Sequence, residues 1–449
     1  MKPLGITLFA LAATQIVPVQ AEDFFSSVTT SAPRGLNLQS PWSHRAWLQQ
    51  KTGYGWHTPA VAVSRDQAAL TRTETQLFGE LGWREGQWRA QLSGSLVHDW
   101  LPDLERAGVW SAYEFNAEQI HQRRWRLELA DSFVSWEGDD WWLKAGYQTL
   151  PWGEAESLKI TDVLARRDQR WPGQEDLEKL RLPVASVRIS WQNRLDLVTL
   201  IEPLPDRLPA AYDEFDPYLA LRTGEPTQDP ALIRQSDSNP GFALRYRHHW
   251  QGMDAQLMLA DVTSYELAPT GIDDTGAQPQ VFLEPWRQQV AGLGLQAVRG
   301  NLLLRSEQAW HHNTKVAQAN PLAPWRSIDQ WRGMLGADYS GINNLTLTAE
   351  LSWLYIHHWD SNLDGKRWQP GASARASYNL YNERLTLQAF AMMITGNQGS
   401  LIRLSADWAV SDEFSIGITA IEYDGHDPQA LIYPYRHNDT LLVTLRWGL

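Results

Sequence analysis

Residues 71–100 read TRTETQLFGELGWREGQWRAQLSGSLVHDW. Leu77, Gly79, Leu81 and Trp83 fall on one face of an extended chain, with Glu74, Gln76 and Glu80 on the other. Arg84 to Gln87 contain a glycine, and then Trp88, Ala90, Leu92, Gly94 and Leu96 alternate with Arg89, Gln91, Ser93 and Ser95. Successive side chains of a strand point to opposite faces, so two period-2 runs about a tight turn spell a β-hairpin. A Trp stands on each side of the turn, where a membrane interface would hold it.

The unit recurs. Trp125–Trp136 pairs with Trp141–Leu150, Val184–Trp191 with Leu195–Glu202, Phe242–Trp250 with Met253–Thr263, and Val290–Val298 with Leu302–Trp310. Trp331–Tyr339 with Leu345–Tyr355, Ala372–Leu380 with Leu385–Ile394, and Leu401–Ala409 with Phe414–Tyr423 continue the series. A first strand near Trp42–Gln50 and a last at Arg436–Leu449 bring the total to about eighteen (roughly 16–18). Long polar connections at 101–123, 151–183, 203–240, 264–286, 311–329, 356–371 and 424–435 alternate with the short turns. Short turns on one side and long loops on the other mark an outer-membrane barrel. The expected fold class is therefore all-β: a transmembrane antiparallel β-barrel with long inward-folding loops. Exported propellers and sandwiches share short alternating strands, but no blade-length repeat is present.

A mean hydropathy of −0.41 would by itself suggest a soluble protein. Barrel strands, however, show lipid only at every second side chain and so average to a hydrophilic sequence. No apolar run after residue 21 approaches the roughly 20 residues of a membrane-crossing helix. The net charge of −13 argues against a nucleic-acid partner. With no cysteine there is no lipobox, disulfide or thiolate metal site.

Lys2, the apolar run Leu4 to Val17 and Val19-Gln20-Ala21 predict a signal peptide over 1–21. Residues 22–41 are expected to be a periplasmic N-terminal segment and 42–449 the barrel, in the outer membrane of a Gram-negative bacterium. Its surroundings would be outer-membrane lipid and lipopolysaccharide. Trp83, Trp88, Trp136, Trp141, Trp191, Trp250 and Trp447 are the candidates for an aromatic girdle. Leu441, Val443, Leu445, Trp447 and Leu449 alternate to the last residue, resembling the C-terminal signal read by the barrel-assembly machinery. That signal usually ends in Phe or Trp, and Leu449 departs from it.

The opposite face of the strands would line an aqueous lumen. Arg188, Arg245, Arg247, Arg305 and Glu307 are its candidate wall residues, with Arg89, Arg126, Glu128 and Lys144 beside them. Charged rings of this kind select solutes; paired across neighbouring strands, the same charges would simply stiffen the wall.

Segment 151–183 is the candidate constriction loop. Pro151 lacks an N–H and stops the strand ladder, and Trp152-Gly153 makes a corner. Leu158, Ile160, Val163 and Leu164 lie beside Glu154, Lys159, Asp162 and Arg166, which predicts a short amphipathic turn or helix. On one reading the segment folds inward, and Glu154, Glu156, Lys159, Asp162, Arg166, Arg167, Asp168 and Arg170 contact the solute. On the other it is a surface loop knitted by its own salt bridges. Segment 203–240, acidic and Pro-rich with Tyr212, Phe215, Tyr218 and Leu219, is expected to cover the mouth.

The string KAGYQTLPWGE at Lys144–Glu154, followed by RLPVASV at Arg181–Val187, resembles a proteobacterial outer-membrane family of unknown function. That family is similar in architecture to alginate-export porins, and its members often accompany RND-type exporters. Tyr147 stands where the family's Gly-Arg-Gln has its Arg, so a role for that Arg does not carry over. The resemblance implies a substrate-specific channel.

The function expected is therefore passage of a specific polar or anionic solute through a charge-lined lumen, with no enzyme activity. Two alternatives remain open: an outer-membrane component that docks a periplasmic or RND-type exporter and passes hydrophobic compounds, and an outer-membrane hydrolase. No cofactor is expected, since no Walker loop, dinucleotide fingerprint or metalloprotease helix is present. The pairs His311-His312 and His357-His358 could converge on a metal with Asp360 nearby, but strand alternation lets only one His of each pair face the lumen, which argues against it.

Overall fold

The computed structural model describes residues 40–58, 68–108, 117–153, 155, 158–211, 213–218, 231–234, 239–273, 275–276, 279–320, 323–396, 398–427, 430 and 432–449. The expected signal peptide and nearly all of the N-terminal segment lie outside these residues, as do Glu154, Glu156, Tyr212 and Leu219.

Eighteen antiparallel strands close on themselves. They are β1 (Trp42–Gly55), β2 (Ala69–Glu85), β3 (Trp88–Asp99), β4 (Trp125–Leu129, resuming as Ser132–Glu137), β5 (Trp141–Gln148) and β6 (Val184–Trp191). Next come β7 (Leu195–Leu200), β8 (Gly241–Trp250), β9 (Met253–Thr263), β10 (Arg287–Arg299), β11 (Leu302–Val316) and β12 (Arg326–Ile342). The set ends with β13 (Leu345–Ile356), β14 (Trp368–Leu380), β15 (Leu385–Met393), β16 (Ser400–Ala409), β17 (Phe414–Asp424) and β18 (Thr440–Gly448). Each strand pairs with the next, and β18 returns to β1 with Trp47 opposite Gly448 and Gly55 opposite Thr440. Closure leaves the sheet with no terminal edge, the condition for crossing a bilayer with strands.

The short turns are built by residues that tolerate positive φ. Gly86 joins β2 to β3 at φ 57°, and Gln192-Asn193 join β6 to β7 at 49° and 53°. Two successive left-handed residues give a turn whose twist matches the strands it connects.

The outward face is apolar and exposed. Leu92, Leu127, Leu257, Leu259, Leu335 and Leu351 all point away from the lumen, Leu351 at 63% exposure. All seven candidate girdle tryptophans lie at the short-turn ends of their strands, where Trp141 and Trp191 approach at 6.4 Å and Trp447 stacks on Phe414 at 4.8 Å. Trp100, Trp125, Trp310, Trp331 and Trp368 stand toward the long-loop side. A rise of about 3.4 Å per residue and a tilt near 40° place Trp88 and Trp100 roughly 30 Å apart along the barrel axis, near the thickness of a bilayer core. Exposed Leu between two aromatic belts is the surface a lipid bilayer requires.

The wall is uneven. β10 to β12 run far past the apolar band, whereas β5, β6 and β7 stop at Gln148, begin at Val184 and stop at Leu200. At that low side the chain leaves the wall and enters the lumen. The connection after β3 holds helices α1 (Leu101–Arg106) and α2 (Ala117–Arg124). A small outer sheet pairs Gln280–Glu284 with Ala231–Arg234 in parallel and with Ala268–Asp273 antiparallel.

Candidate functional site

Two sets of contacts fix segment 151–183, one at each side of the lumen. Trp152, Ile160, Val163 and Leu164 are buried in a cluster with Val198, Ala243, Met258, Val290, Ala309 and Met334, all inward-facing wall residues of β7 to β12. The backbone there bonds to wall side chains. Thr161 N donates to Glu307 Oε1 at 2.7 Å, His311 Nε2 meets the Ile160 carbonyl at 2.8 Å, and Arg332 donates to the Lys159 carbonyl at 3.0 Å. Gly292 makes room for this approach, because a Cβ on it would stand 2.5 Å from Thr161 Cγ2.

These bonds explain why no helix forms. The amphipathic turn or helix expected over Leu158 to Arg166 is absent; the chain runs irregularly to a two-residue strand, Arg166–Arg167, paired with Arg181–Leu182. Backbone groups that a helix would pair internally are taken by Glu307, His311 and Arg332. A single turn of helix appears later, α3 (Leu177–Leu180).

The far end is tied to the other side of the barrel. Glu175 pairs with Lys51 of β1 and, at 3.5 Å, with Arg72 of β2, while Asp176 pairs with Arg403 of β16. The Trp171 ring lies under the guanidiniums of Arg72 and Arg123 at 5.0 and 5.4 Å. Phe215 packs between Tyr423 and Tyr435, so part of segment 203–240 also lies within this cluster. The loop therefore spans the lumen from β7–β12 to β1, β2 and β16.

The candidate contact residues sit along this span, mostly in ion pairs. Lys159 reaches Asp206 at 3.0 Å and Glu266 at 3.2 Å. Asp162 accepts from Arg167 at 2.9 Å and Arg181 at 3.1 Å, tying the two ends of the excursion together. Arg166 donates to the Pro205 carbonyl. Arg170 binds Asp168 through Nε at 2.9 Å and Glu128 of β4 at 2.9 Å, and Arg207 reaches the same two carboxylates at 3.3 and 2.9 Å.

Burial would raise the Asp168 carboxyl, but Arg170 and Arg207 overcome it and pull it down to about 2. Burial likewise opposes the charge on Arg170, and Asp168 and Glu128 raise it above its ordinary value. Burial acts against Glu175 as well, yet Lys51 and Arg72 hold it below the usual carboxylate range.

Below the loop, toward the short turns, the inner wall of β3 to β8 is cationic. Arg89, Ser135, Lys144 and Arg188 occupy one transverse row of β3 to β6. One carboxylate, Asp196 of β7, then serves three guanidiniums among the described residues: Arg245 at 2.8 Å, Arg188 at 3.2 Å and Arg247 at 3.4 Å. Lys144 lies 3.7 Å from the Phe133 ring centroid, and Arg245 lies 4.6 Å from that of Trp152, so the loop rests directly on the cationic patch. Of the other wall candidates, Arg305 pairs with Asp338 at 3.1 Å and Glu307 holds the loop.

Asp196 and Asp206 are absent from the sequence-based candidates. Asp196 carried a usable signal, a lone acid alternating with Leu195 and Leu197. Asp206 gave none, since its role depends on a loop contact with Lys159 across 47 positions. Of the histidine pairs, His311 faces inward and His312 outward to Asp329 at 2.8 Å. No three His, Asp or Glu side chains converge as a metal site among the described residues.

A closed eighteen-strand antiparallel barrel, apolar outside, charged inside and crossed by its own loop, has the fold of the outer-membrane porins. The chain belongs to the family described as proteins of unknown function, DUF1302, whose model matches residues 62–447. No curated protein matches it. Among solved structures it is similar to OccAB4 of Acinetobacter baumannii, with a TM-score of 0.51 at 9% identity over 92% of this chain and 100% of that one. OccAB3 gives 0.51 at 10% over 91% and 99%, and OccAB1 0.50 at 7% over 92% and 97%. At these identities the likeness is one of fold.

Proposed function

We propose that the protein is an outer-membrane channel that passes a small polar anion, with segment 151–183 forming the constriction and the wall below it selecting charge. The observation that carries this reading is the group of five cations, Arg89, Lys144, Arg188, Arg245 and Arg247, with Asp196 as the carboxylate that three of them share. A carboxylate holding three guanidiniums leaves net positive charge on the lumen surface. In a narrow pore with low-dielectric walls such charge concentrates anions. Lys159, Asp162, Arg166, Arg167, Asp168 and Arg170 shape the constriction, chiefly as ion pairs that fix it. Assembly would proceed through β18, the strand that closes the barrel.

Reversal potentials of the refolded protein in a planar bilayer across a potassium chloride gradient test this reading. Anion preference is expected, falling when Arg188 and Arg245 are both changed to Gln. Cation preference in the unaltered protein would refute it.

A further inference from the structure

Strand β4 is broken, and the break leaves a gap in the wall. Among the described residues Trp125–Leu129 pairs only with β3, through Gly94 to His98, while of the two pieces of β4 only the continuation Ser132–Glu137 pairs with β5. The chain leaves β5 where it would cover the upper piece. Thr149 N and Oγ1 bind Asp131 Oδ1 at 2.8 and 2.9 Å, and Leu150 is already buried inside. The edge of Trp125–Leu129 that faces away from β3 therefore has no paired strand among the described residues. It lies just below the outer aromatic belt, beside Trp100 and Trp125, at the level of apolar lipid.

Behind this edge is a half-open cavity of about 330 Å³. Arg126 and Glu128 line it from the inner face of the strand, and Leu127, 86% exposed, from the outer face. Lining by both faces of one strand puts the cavity mouth at the strand's free edge. Arg123, Arg126, Arg170 and Arg207 all line the cavity, against two lining carboxylates: Glu128, which meets Arg170 and Arg207 at 2.9 Å each, and Asp213, which meets Arg123 at 3.3 Å. Asp168, outside the lining, pairs with Arg170 and Arg207 as well. Leu208 adds an apolar side chain to the lining.

We infer that this gap is a binding site for a single-chain amphiphile with an anionic head. The head meets the arginines inside, and the tail leaves past Leu127 into the bilayer. Four arginines against two carboxylates leave the lining net positive, which suits an anionic head, and the apolar rim suits a tail. The site rests on the membrane-embedded reading of the barrel and is separate from the cationic wall beneath the loop.

The test is photo-crosslinking of the full mature protein in bilayers with a diazirine-tailed dodecanoate and its methyl ester. The acid is expected to label residues 125–129 and 207–210, with the ester labelling them roughly tenfold less, as loss of a charge-assisted bond implies. Arg207→Gln should lower acid labelling by a similar factor. Leu127→Trp, which fills the mouth from the lipid side, should abolish it and leave bilayer conductance unchanged. Acid and ester labelling alike, or labels spread evenly around the apolar belt, would overturn the site. Labelling only when the probe is preloaded in lipid assigns a membrane source, whereas labelling on addition from water assigns a free amphiphile. Conductance recorded on the same preparations shows separately whether the channel reading holds.

Discussion

Glu307, on the inner wall of β11, accepts the backbone N–H of Thr161 at 2.7 Å, and Gly292 of β10 leaves Thr161 the space to be there. One wall carboxylate and one missing side chain thus set where the loop lies in the lumen. Gly292→Ala would bring a Cβ within 2.5 Å of Thr161 Cγ2 and must displace the loop. Glu307→Ala leaves the Thr161 N–H without its acceptor, at a cost of about 1–3 kcal/mol. Both variants should open more easily to protease within 151–183, and single-channel records should show larger and noisier currents than the parent. Unaltered records from both would mean that the loop is held by other contacts.

The sign of the pH response follows from Asp168. Its folded carboxyl titrates at about 2, below its ordinary 3.8, so the charged form is favoured by folding. The stabilisation is complete above about pH 4 and disappears as pH falls through 2. Loop protection from pepsin should therefore persist at pH 4 and fail near pH 2. Asp168→Asn should be equally unprotected at both.

Asp196 has the opposite effects on stability and selectivity. Asp196→Asn removes the charge shared by Arg188, Arg245 and Arg247, which should cost about 1–3 kcal/mol of stability. The same change exposes more positive potential and should shift the reversal potential further toward chloride. A shift toward potassium would contradict the proposed role of this wall.

Leu351 sits on the outer face at 63% exposure. In water, Leu351→Arg would be nearly neutral. On the lipid face of a barrel, near mid-membrane, it should cost about 2–4 kcal/mol, measurable by reversible unfolding from lipid vesicles.

The barrel was legible in the sequence because outward Leu and Trp alternate with inward polar residues wherever a strand meets lipid. Strand ends at the short turns, such as Trp191 and Leu195 about Gln192-Asn193, match the expected positions because positive-φ residues mark them. Ends at the long loops depart from expectation in both directions: β11 continues from Trp310 to Val316 and β12 begins at Arg326 rather than Trp331, whereas β5 stops at Gln148 and β7 at Leu200, short of Leu150 and Glu202. Beyond the apolar band both faces meet water or loops, so the alternation that announces a strand fades while its ladder continues. The break in β4 was invisible for a different reason, since Ala130-Asp131 departs from the ladder through a bond between Asp131 and Thr149. The loop's polarity was legible, but its path was not. Ile160 and Thr161 meet His311 and Glu307 across about 150 positions, a relation that local pattern does not encode.

Planar-bilayer conductance of the mature protein, beside a variant whose residues 154–170 are replaced by a Gly–Ser segment of equal length, tests the constriction directly. A small anion-selective conductance that rises sharply in the variant, with selectivity retained through the wall below, is the predicted result. An equally large conductance in both proteins would show that segment 151–183 does not limit the pore.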